Sequence, residues 1–282
     1  LTVNITGSGS TTGTFVNGQF ESSTDGTANI LNTDLQTHMQ TFSTTVESRG
    51  TISVQADISS SAVGNGLTLR AKGRITVSAG ASAASPGLIG TASGPITFWT
   101  TGSDGGVTLG NFTQLNTTQS GSAGADITIG GGSALTADTS RPSGAASSTS
   151  THGVQIGART SSFQTDDFVV RAGTGHFSLK GAYTGTATGV YSGIQFRTGF
   201  NILAGTVTID GQTSSTNSTA SQSGIDTYWN AGSIKSLIEA TKSFSTFETA
   251  ISISGSSGNT SGILLGPSNS TTDYLTFRTS GD

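Results

Sequence analysis

The chain has 282 residues, of which 44 are Ser, 49 are Thr and 41 are Gly, and only 10% carry a charge. This composition excludes a helical bundle, which needs many Leu, Ala, Glu and Lys residues, and the lack of Cys excludes a disulfide scaffold or a Cys-based metal site. The net charge of −4 argues against a nucleic-acid partner, because such proteins carry a basic surplus. No apolar run approaches the roughly 18 residues of a membrane-spanning helix, so no membrane span is expected.

Short runs in which apolar residues alternate with Thr or Ser recur along the whole chain. Gly, Asn, Asp or Ser follows each run, which is the pattern of a strand with one buried and one wet face. Thr is β-branched and fits a strand, and Pro is scarce, so the sequence predicts ordered all-β structure rather than disorder. The runs are 1–5, 51–54, 67–70, 74–77, 95–98, 107–109, 126–129, 206–209, 251–253 and 274–277.

The spacing of these strands distinguishes a β-sandwich from a β-helix. A strand beginning with Gly restarts at Gly153, Gly193, Gly224 and Gly262, at steps of 40, 31 and 38 residues, and a Greek-key sandwich shows no such restart. Two of the intervals also contain a pair of strands. Three strands per unit predict a parallel β-helix, or β-solenoid, with three faces, short peripheral helices and variable loops. Its inward residues would include Ile156, Val170, Leu179, Ile194, Val207, Ile209, Ile225 and Ile263.

Two stretches have helical spacing. The first is 32–40, with apolar residues at Leu35, Met39 and Phe42, and the second is 233–240. They begin about 200 residues apart, which suggests a longer repeating module that restarts near 233. Residues 1–282 are therefore expected to form one continuous solenoid segment, a fragment of a longer repeat array. The apolar strands at both ends, 1–5 and 274–278, are expected to be uncapped, so that further copies of the repeat could stack end to end.

The order of these elements resembles the filamentous-haemagglutinin-type adhesins of two-partner secretion systems. The similarity lies in a short helix at 31–35, the strand 50–54, the segment 67–77, and the strands 96–99 and 105–110. That family implies a right-handed parallel β-helix, export across the bacterial outer membrane, and a stalk or adhesive fibre at the cell surface. The Asn-rich motifs of the family's N-terminal secretion domain are not recognised, so the resemblance places this chain in a middle section.

Catalytic and metal-binding patterns are weak. Asp166 and Asp167 are the only adjacent acidic pair, and in a strand they would face opposite sides. His38, His152 and His176 have no metal-ligand spacing. We therefore expect no catalytic residue, no metal and no cofactor. The expected function is a structural and adhesive stalk at the cell surface or in secreted form. A self-assembling fibre or sheath subunit is the alternative, and a glycan-active β-helix enzyme is favoured less.

The expected partner is a receptor or glycan on a host or neighbouring cell. Trp99, Tyr228 and Trp229 are candidates for stacking on a sugar ring, although such rings also pack inside solenoids. Six Asn-x-Ser/Thr sequons are candidate glycosylation sites, namely Asn4, Asn111, Asn116, Asn217, Asn259 and Asn269.

Overall fold

A computed structural model describes most of the chain. The described residues are 1–23, 26–78, 80–82, 85–135, 142–157, 168–186, 191–214, 222–227, 235–241, 249–257, 262–265 and 274–279. Within them strands are the main element, with one α-helix, α1, and one short 3-10 helix at Gln119–Gly121.

The first half of the strands, with α1, spans β1 to β14. Their bounds are β1 Thr2–Thr6, β2 Gly13–Val16, β3 Gln19–Ser22, β4 Thr27–Leu31, α1 Asn32–Met39, β5 Thr44–Ser48, β6 Ile52–Val54, β7 Ile58–Val63, β8 Leu67–Ala71, β9 Ile75–Val77, β10 Gly80–Ser82, β11 Ser85–Ala92, β12 Ile96–Thr100, β13 Val107–Leu109 and β14 Thr113–Asn116.

The second half spans β15 to β28. Their bounds are β15 Ile127–Leu135, β16 Pro142–Gly144, β17 Ala146–Ser148, β18 Val154–Ile156, β19 Phe168–Arg171, β20 His176–Tyr183, β21 Ile194–Phe196, β22 Phe200–Ala204, β23 Thr206–Thr213, β24 Ile225–Thr227, β25 Lys235–Ala240, β26 Ile251–Ser257, β27 Ile263–Leu265 and β28 Tyr274–Thr279.

The strands form three sheets, here named A, B and C. Sheet A has the order β27-β24-β21-β18-β13-β9-β6-β1-β4, and sheet B has the order β2-β3-β5-β8-β12-β15-β20-β23-β26, with β16 and β17 attached. Sheet C has the order β10-β11-β14-β19-β22-β25-β28, with β7 paired to β11. All named pairs are parallel except β2–β3, β10–β11 and β15–β16. The prediction of an all-β protein with parallel sheets is confirmed.

The chain visits the sheets in a fixed sequence. From β6 onward it passes from A to C to B and returns to A, with β10, β16 and β17 as extra strands. The four predicted restarts are β18, β21, β24 and β27, which are successive neighbours in sheet A. Their pairing is in register, with Val154 opposite Ile194, Ile194 opposite Ile225, and Ile225 opposite Ile263.

Each restart begins with Gly because the backbone is crowded at the junction between sheets B and A. A Cβ on Gly193 would lie 2.4 Å from the Gln212 nitrogen, and one on Gly224 would lie 2.4 Å from the Gly211 oxygen. On Gly262 it would lie 2.3 Å from the Gly255 oxygen. No side chain fits at such distances, so Gly at these positions allows strands of sheet A to follow closely on strands of sheet B.

The core lies on the inward side of the three sheets. Alternation such as Ile52-Ser53-Val54 puts the two apolar residues inside, and removing each such side chain from water contributes about 1.5–3 kcal/mol. Seven of the eight predicted inward residues are buried, each no more than 3% exposed. The eighth, Ile263, is 41% exposed because its strand, β27, is the last of sheet A.

The first predicted helix is confirmed, and the second prediction is wrong. Leu35 and Met39 of α1 are fully buried, whereas Phe42 lies beyond the helix and is 43% exposed. Residues 235–240 form strand β25, paired in parallel with β22 and β28. Ile238 and Ala240 point inward with the period of a strand, so pairing on both sides outweighs the local helical spacing. The second helix therefore does not support a module restart near 233.

The start of the chain is also not the open edge that was expected. Strand β1 lies between β4 and β6, because the chain returns to place β4 outside it. The edge of sheet B is the antiparallel hairpin β2–β3, and α1 packs against β7 of sheet C. We call β2, β3, β4 and α1 the N-terminal cap.

Candidate functional site

The C-terminal end of the three sheets differs from the N-terminal cap. Strands β26, β27 and β28 are the last strands of sheets B, A and C, and no described strand pairs with their outer edges. Ile263 and Phe277, which lie here, are 41% and 51% exposed. An apolar cavity of about 160 Å³ lies between these strands and the level below. Its lining residues are Phe196, Phe200, Ile209, Ile225, Thr227, Ile238, Ile253, Ile263, Leu275 and Phe277.

Two rows of polar side chains cross the outer faces of sheets A and B, and the members of each row lie in register on successive strands. The sheet A row is Asn29, Asn4, Ser53, Thr76, Thr108, Gln155, Gln195 and Asp226. The sheet B row is Thr45, Thr68, Thr97, Thr128, Ser178, Thr208 and Ser252.

Several members of the sheet A row are hydrogen bonded. Asn4 Nδ2 donates to Asn29 Oδ1 at 3.3 Å, and Gln195 Nε2 donates to Asp226 Oδ2 at 3.2 Å. Thr108 Oγ1 accepts from Arg74 Nη1 at 3.0 Å. These contacts join neighbouring strands or flanking residues, whereas the Thr76 hydroxyl makes no hydrogen bond to a described residue.

The sheet B row has a different character. None of its seven hydroxyls makes a hydrogen bond to another described residue. Four of them, on Thr45, Thr68, Thr97 and Thr128, line a cavity of about 220 Å³ together with Ser43, Thr44, Gly66 and Pro95. The alternation of Thr with apolar residues is visible in the sequence, but the sequence analysis did not identify which of these Thr residues share one sheet.

A hydrogen-bond network joins sheet A to the loop after β17. Arg74 Nη2 donates to the hydroxyls of Thr151 and Ser148, and Asp104 Oδ1 accepts from Ser148 Oγ at 2.8 Å and Ser150 Oγ at 3.0 Å. Burial alone would raise the pKa of Asp104, but the hydrogen bonds from Ser148, Ser150 and the backbone lower it overall. The network holds the loop in place with an ionised carboxylate.

His152 follows this network and lies 8% exposed among aromatic rings. Its Nδ1 accepts a hydrogen bond from the Ser192 backbone nitrogen at 3.0 Å, and its ring centroid is 5.8 Å from that of Tyr191. Burial, with smaller contributions from the positive charges of Arg197 and Arg74, lowers the pKa of His152 to about 4. The imidazole is therefore neutral near neutral pH and acts as a buried hydrogen-bond acceptor.

Asp226 supplies the carboxyl group of the sheet A row, and the residue is 1% exposed. Burial raises its pKa, while the hydrogen bond from Gln195 and the charge of Arg197 oppose that shift. Asp226 Oδ1 and Gln195 Oε1 have no hydrogen-bond partner among the described residues. The protein environment of Asp226 therefore favours the uncharged carboxyl over the carboxylate more strongly than water does.

Of the three predicted sugar-stacking residues, only Trp99 lies in the described part of the chain. Trp99 is only 5% exposed, its Nε1 donates to the Gly132 oxygen at 2.8 Å, and the Arg70 guanidinium lies 4.4 Å from its ring centroid. A ring covered in this way offers little surface to a sugar, so the structure does not support the prediction for Trp99. Tyr228 and Trp229 lie outside the described residues, as does the acidic pair at 166–167.

Three of the six sequons fall in described segments. Asn4 is in the middle of β1, Asn111 is in the turn before β14, and Asn116 ends β14, where its Oδ1 accepts from Thr118 N and Oγ1, both at 2.8 Å. All three side chains are partly buried. Asn217, Asn259 and Asn269 lie outside the described residues, and glycosylation at all six stays a prediction.

The three His residues lie in different parts of the fold. His38 stacks on Phe15 in the N-terminal cap, with centroids 4.7 Å apart, and His176 Nδ1 is 2.6 Å from Thr206 Oγ1 in sheet B. Across the described residues, no three His, Cys, Asp or Glu side chains gather as a potential metal site. None of the helices in this part of the chain has the length and apolar character needed to cross a membrane.

Comparison with known proteins identifies no relative. Family models, curated proteins and solved structures were each searched, and none of them matches the chain. The resemblance to filamentous-haemagglutinin-type adhesins therefore rests on the sequence elements alone.

Proposed function

We propose that the chain is a right-handed parallel β-helix that serves as a structural and adhesive stalk segment of a bacterial adhesin. The observation that carries this proposal is the stacking of parallel strands in three sheets that the chain visits in turn. Crossovers between parallel strands of one sheet are right-handed in about 98% of cases, which favours that hand. A cell-surface or secreted location is part of the proposal and draws on the sequence resemblance.

This architecture suits a stalk because its length grows by repetition. Each added level buries its apolar residues against the level below, so stability is gained locally and no central core limits the size. The nine strands of sheet A, at about 4.8 Å each, already extend over roughly 40 Å. The apolar residues at the C-terminal end would support a further level in the same way.

A self-assembling fibre draws less support from the structure. Head-to-tail assembly needs two open ends, whereas β1 is enclosed by β4 and the hairpin β2–β3 forms the edge of sheet B. Copies of this chain would therefore meet through their C-terminal ends. A glycan-active enzyme, the third candidate, is favoured by no specific arrangement of the described residues.

An adhesion assay combined with electron microscopy tests the stalk. Negative-stain images should show short rods, and beads coated with the protein should bind animal or bacterial cells more strongly than beads coated with the Ile156→Asp variant, in which the stack is disrupted. Globular particles, or equal binding by the two sets of beads, would contradict the proposal.

A further inference from the structure

The sheet B row of hydroxyls has the properties of a ligand-binding surface. Thr97 and Thr128 are 3% and 5% exposed, yet their hydroxyls make no hydrogen bond to a described residue. A hydroxyl that no protein group engages keeps its capacity to donate and accept, and water or a ligand can use it. Both side chains line the 220 Å³ cavity, and neither oxygen is among the buried side-chain atoms without a partner, so the two hydroxyls are open to water or to a bound molecule in the cavity.

The other hydroxyls of the cavity divide into two groups. Ser43 Oγ accepts from the Gly66 nitrogen at 3.1 Å, and Thr44 Oγ1 donates to the Phe42 oxygen at 3.1 Å, so these two are engaged. The hydroxyls of Thr45 and Thr68 are not engaged by described residues. Four consecutive levels of sheet B thus each offer one unengaged hydroxyl to the same cavity.

We propose that this cavity and the sheet B row bind an extended neutral glycan. Each Thr hydroxyl both donates and accepts, which matches a sugar hydroxyl, and the Thr methyl groups and the Pro95 ring can contact the C–H faces of a sugar. None of the described residues that line the cavity is charged, which disfavours an ionic ligand. The nearby charges of Glu47 and Arg70 neutralise each other, with Nη1 and Oε2 3.6 Å apart.

The size and direction of the site indicate an extended chain of sugars. The cavity of about 220 Å³ is smaller than the roughly 300 Å³ at which pockets for drug-sized ligands begin, so it suits one sugar ring rather than a whole oligosaccharide. The row continues beyond the cavity to Ser178, Thr208 and Ser252 at the spacing of about 4.8 Å between strands. A glycan lying across the strands would meet one hydroxyl at each level.

This inference goes beyond the proposed stalk function and can fail separately from it. Adhesion can arise from another surface, and the row can bind sugars in a protein with another role. It also replaces Trp99 as the candidate glycan contact, because Trp99 is covered by Arg70 whereas the hydroxyls of the row are not engaged.

Calorimetric titration with defined sugars tests the site. The probes are cellohexaose, chitohexaose, maltohexaose and mannohexaose at millimolar concentration, with a heparin-derived hexasaccharide as the charged comparison. We expect at least one neutral hexasaccharide to bind, and its tetrasaccharide to bind more weakly because fewer levels are contacted. Binding of the heparin fragment alone, or of no neutral sugar, would overturn the proposal.

Isosteric variants locate the binding. Thr97→Val and Thr128→Val each remove one hydroxyl but keep the β-branched shape, so affinity should fall about 2- to 10-fold for each. Thr76→Val is the matched control, since Thr76 lies in the sheet A row and also makes no hydrogen bond to a described residue. Equal affinity of Thr97→Val and Thr76→Val would overturn the assignment. Thermal melting confirms that all three variants are folded.

Discussion

In the part of the chain that the structure describes, the outermost strands are covered at one end of the three sheets and not at the other. At the N-terminal cap, the antiparallel hairpin β2–β3 forms the edge of sheet B, and α1 covers β7 with Leu35 and Met39 fully buried. Side-chain amides of Asn32 and Gln36 donate to the Asp57 oxygen at 2.8 and 2.9 Å, which fixes the helix along β7. At the C-terminal end, parallel edges and partly exposed apolar residues remain among the described residues.

This difference shows which structural features end a stack of parallel strands. Unpaired edges of parallel strands attract further strands, and natural sheets block them with a change of strand direction or a covering helix. The N-terminal cap uses both devices. The described residues of the C-terminal end contain neither device, so the proposed stacking of a further level concerns this end.

The largest expected effect comes from a charge in the middle of sheet A compared with one at its last strand. Ile156 is fully buried, so Ile156→Asp should cost more than about 4 kcal/mol of unfolding free energy, because an unpaired carboxylate is buried. Ile263 belongs to the same face of sheet A but is 41% exposed, and Ile263→Asp should cost less than about 1 kcal/mol. Urea unfolding measures both. Equal losses would mean that the C-terminal end is covered after all.

The N-terminal cap is tested by truncating its buried contacts. Leu35→Ala should lower the unfolding free energy by about 2–5 kcal/mol, because Leu35 is fully buried and its truncation leaves a cavity beside α1. Phe42→Ala is the control, since Phe42 is 43% exposed, and it should cost less than about 1 kcal/mol. Urea unfolding of both variants gives the comparison. A small loss for Leu35→Ala would show that α1 does not stabilise this end.

Much of the central stack could be predicted from the sequence, and the ends could not. The restarts at Gly193, Gly224 and Gly262 identify sheet A because each level repeats the same crowded junction. Whether residues 1–5 form an edge strand depends on where β4 lies. The sequence pattern of residues 1–5 does not contain that information, because β4 comes from a later part of the chain. Residues 235–240 have helical spacing, yet they pair with β22 and β28, so tertiary pairing decided the outcome.

The candidate site was harder to predict than the fold. Trp99 was chosen for its residue type, and only the structure shows that Gly132 and Arg70 occupy it. The Thr residues of the sheet B row were recognised as outward-facing, but the loops between strands vary in length. Sequence spacing therefore does not show that Thr68, Thr97 and Thr128 are in register.

Acid should weaken the middle of the stack, between the two ends. The pKa of His152 is about 4 in the folded protein and about 6.5 in the unfolded chain. Between about pH 4 and 6.5 the unfolded chain therefore binds a proton at His152 that the folded protein does not. The contribution of neutral His152 to the unfolding free energy should therefore be complete above about pH 6.5 and fall by about 3 kcal/mol as the pH drops to 4. His152→Asn keeps an acceptor for the Ser192 nitrogen without titrating, so its loss over the same range should be smaller. Urea unfolding at several pH values measures both proteins.

The raised pKa of Asp226 acts in the opposite direction and provides a check on the acid experiment. A carboxyl whose folded pKa is raised stabilises the fold below its unfolded pKa of about 4, and this contribution is lost as the pH rises through the folded pKa. Asp226→Asn should therefore gain stability relative to the parent as the pH rises. If both variants follow the parent at every pH, the titration of His152 and Asp226 does not control the stability of the stack.

The smallest effect on stability, and the most direct test of the two ends, concerns self-association. Phe277 is 51% exposed at the C-terminal end, and Phe277→Lys should change the unfolding free energy by about 0.5 kcal/mol or less. Concentration-dependent association in sedimentation velocity should nevertheless decrease, because a charge would be buried between two apolar ends. Val63→Lys, at a residue 78% exposed on β7, is the matched control and should leave association unchanged. A parent protein that stays monomeric at every concentration, or equal effects of both substitutions, would remove the distinction between the capped and the extendable end.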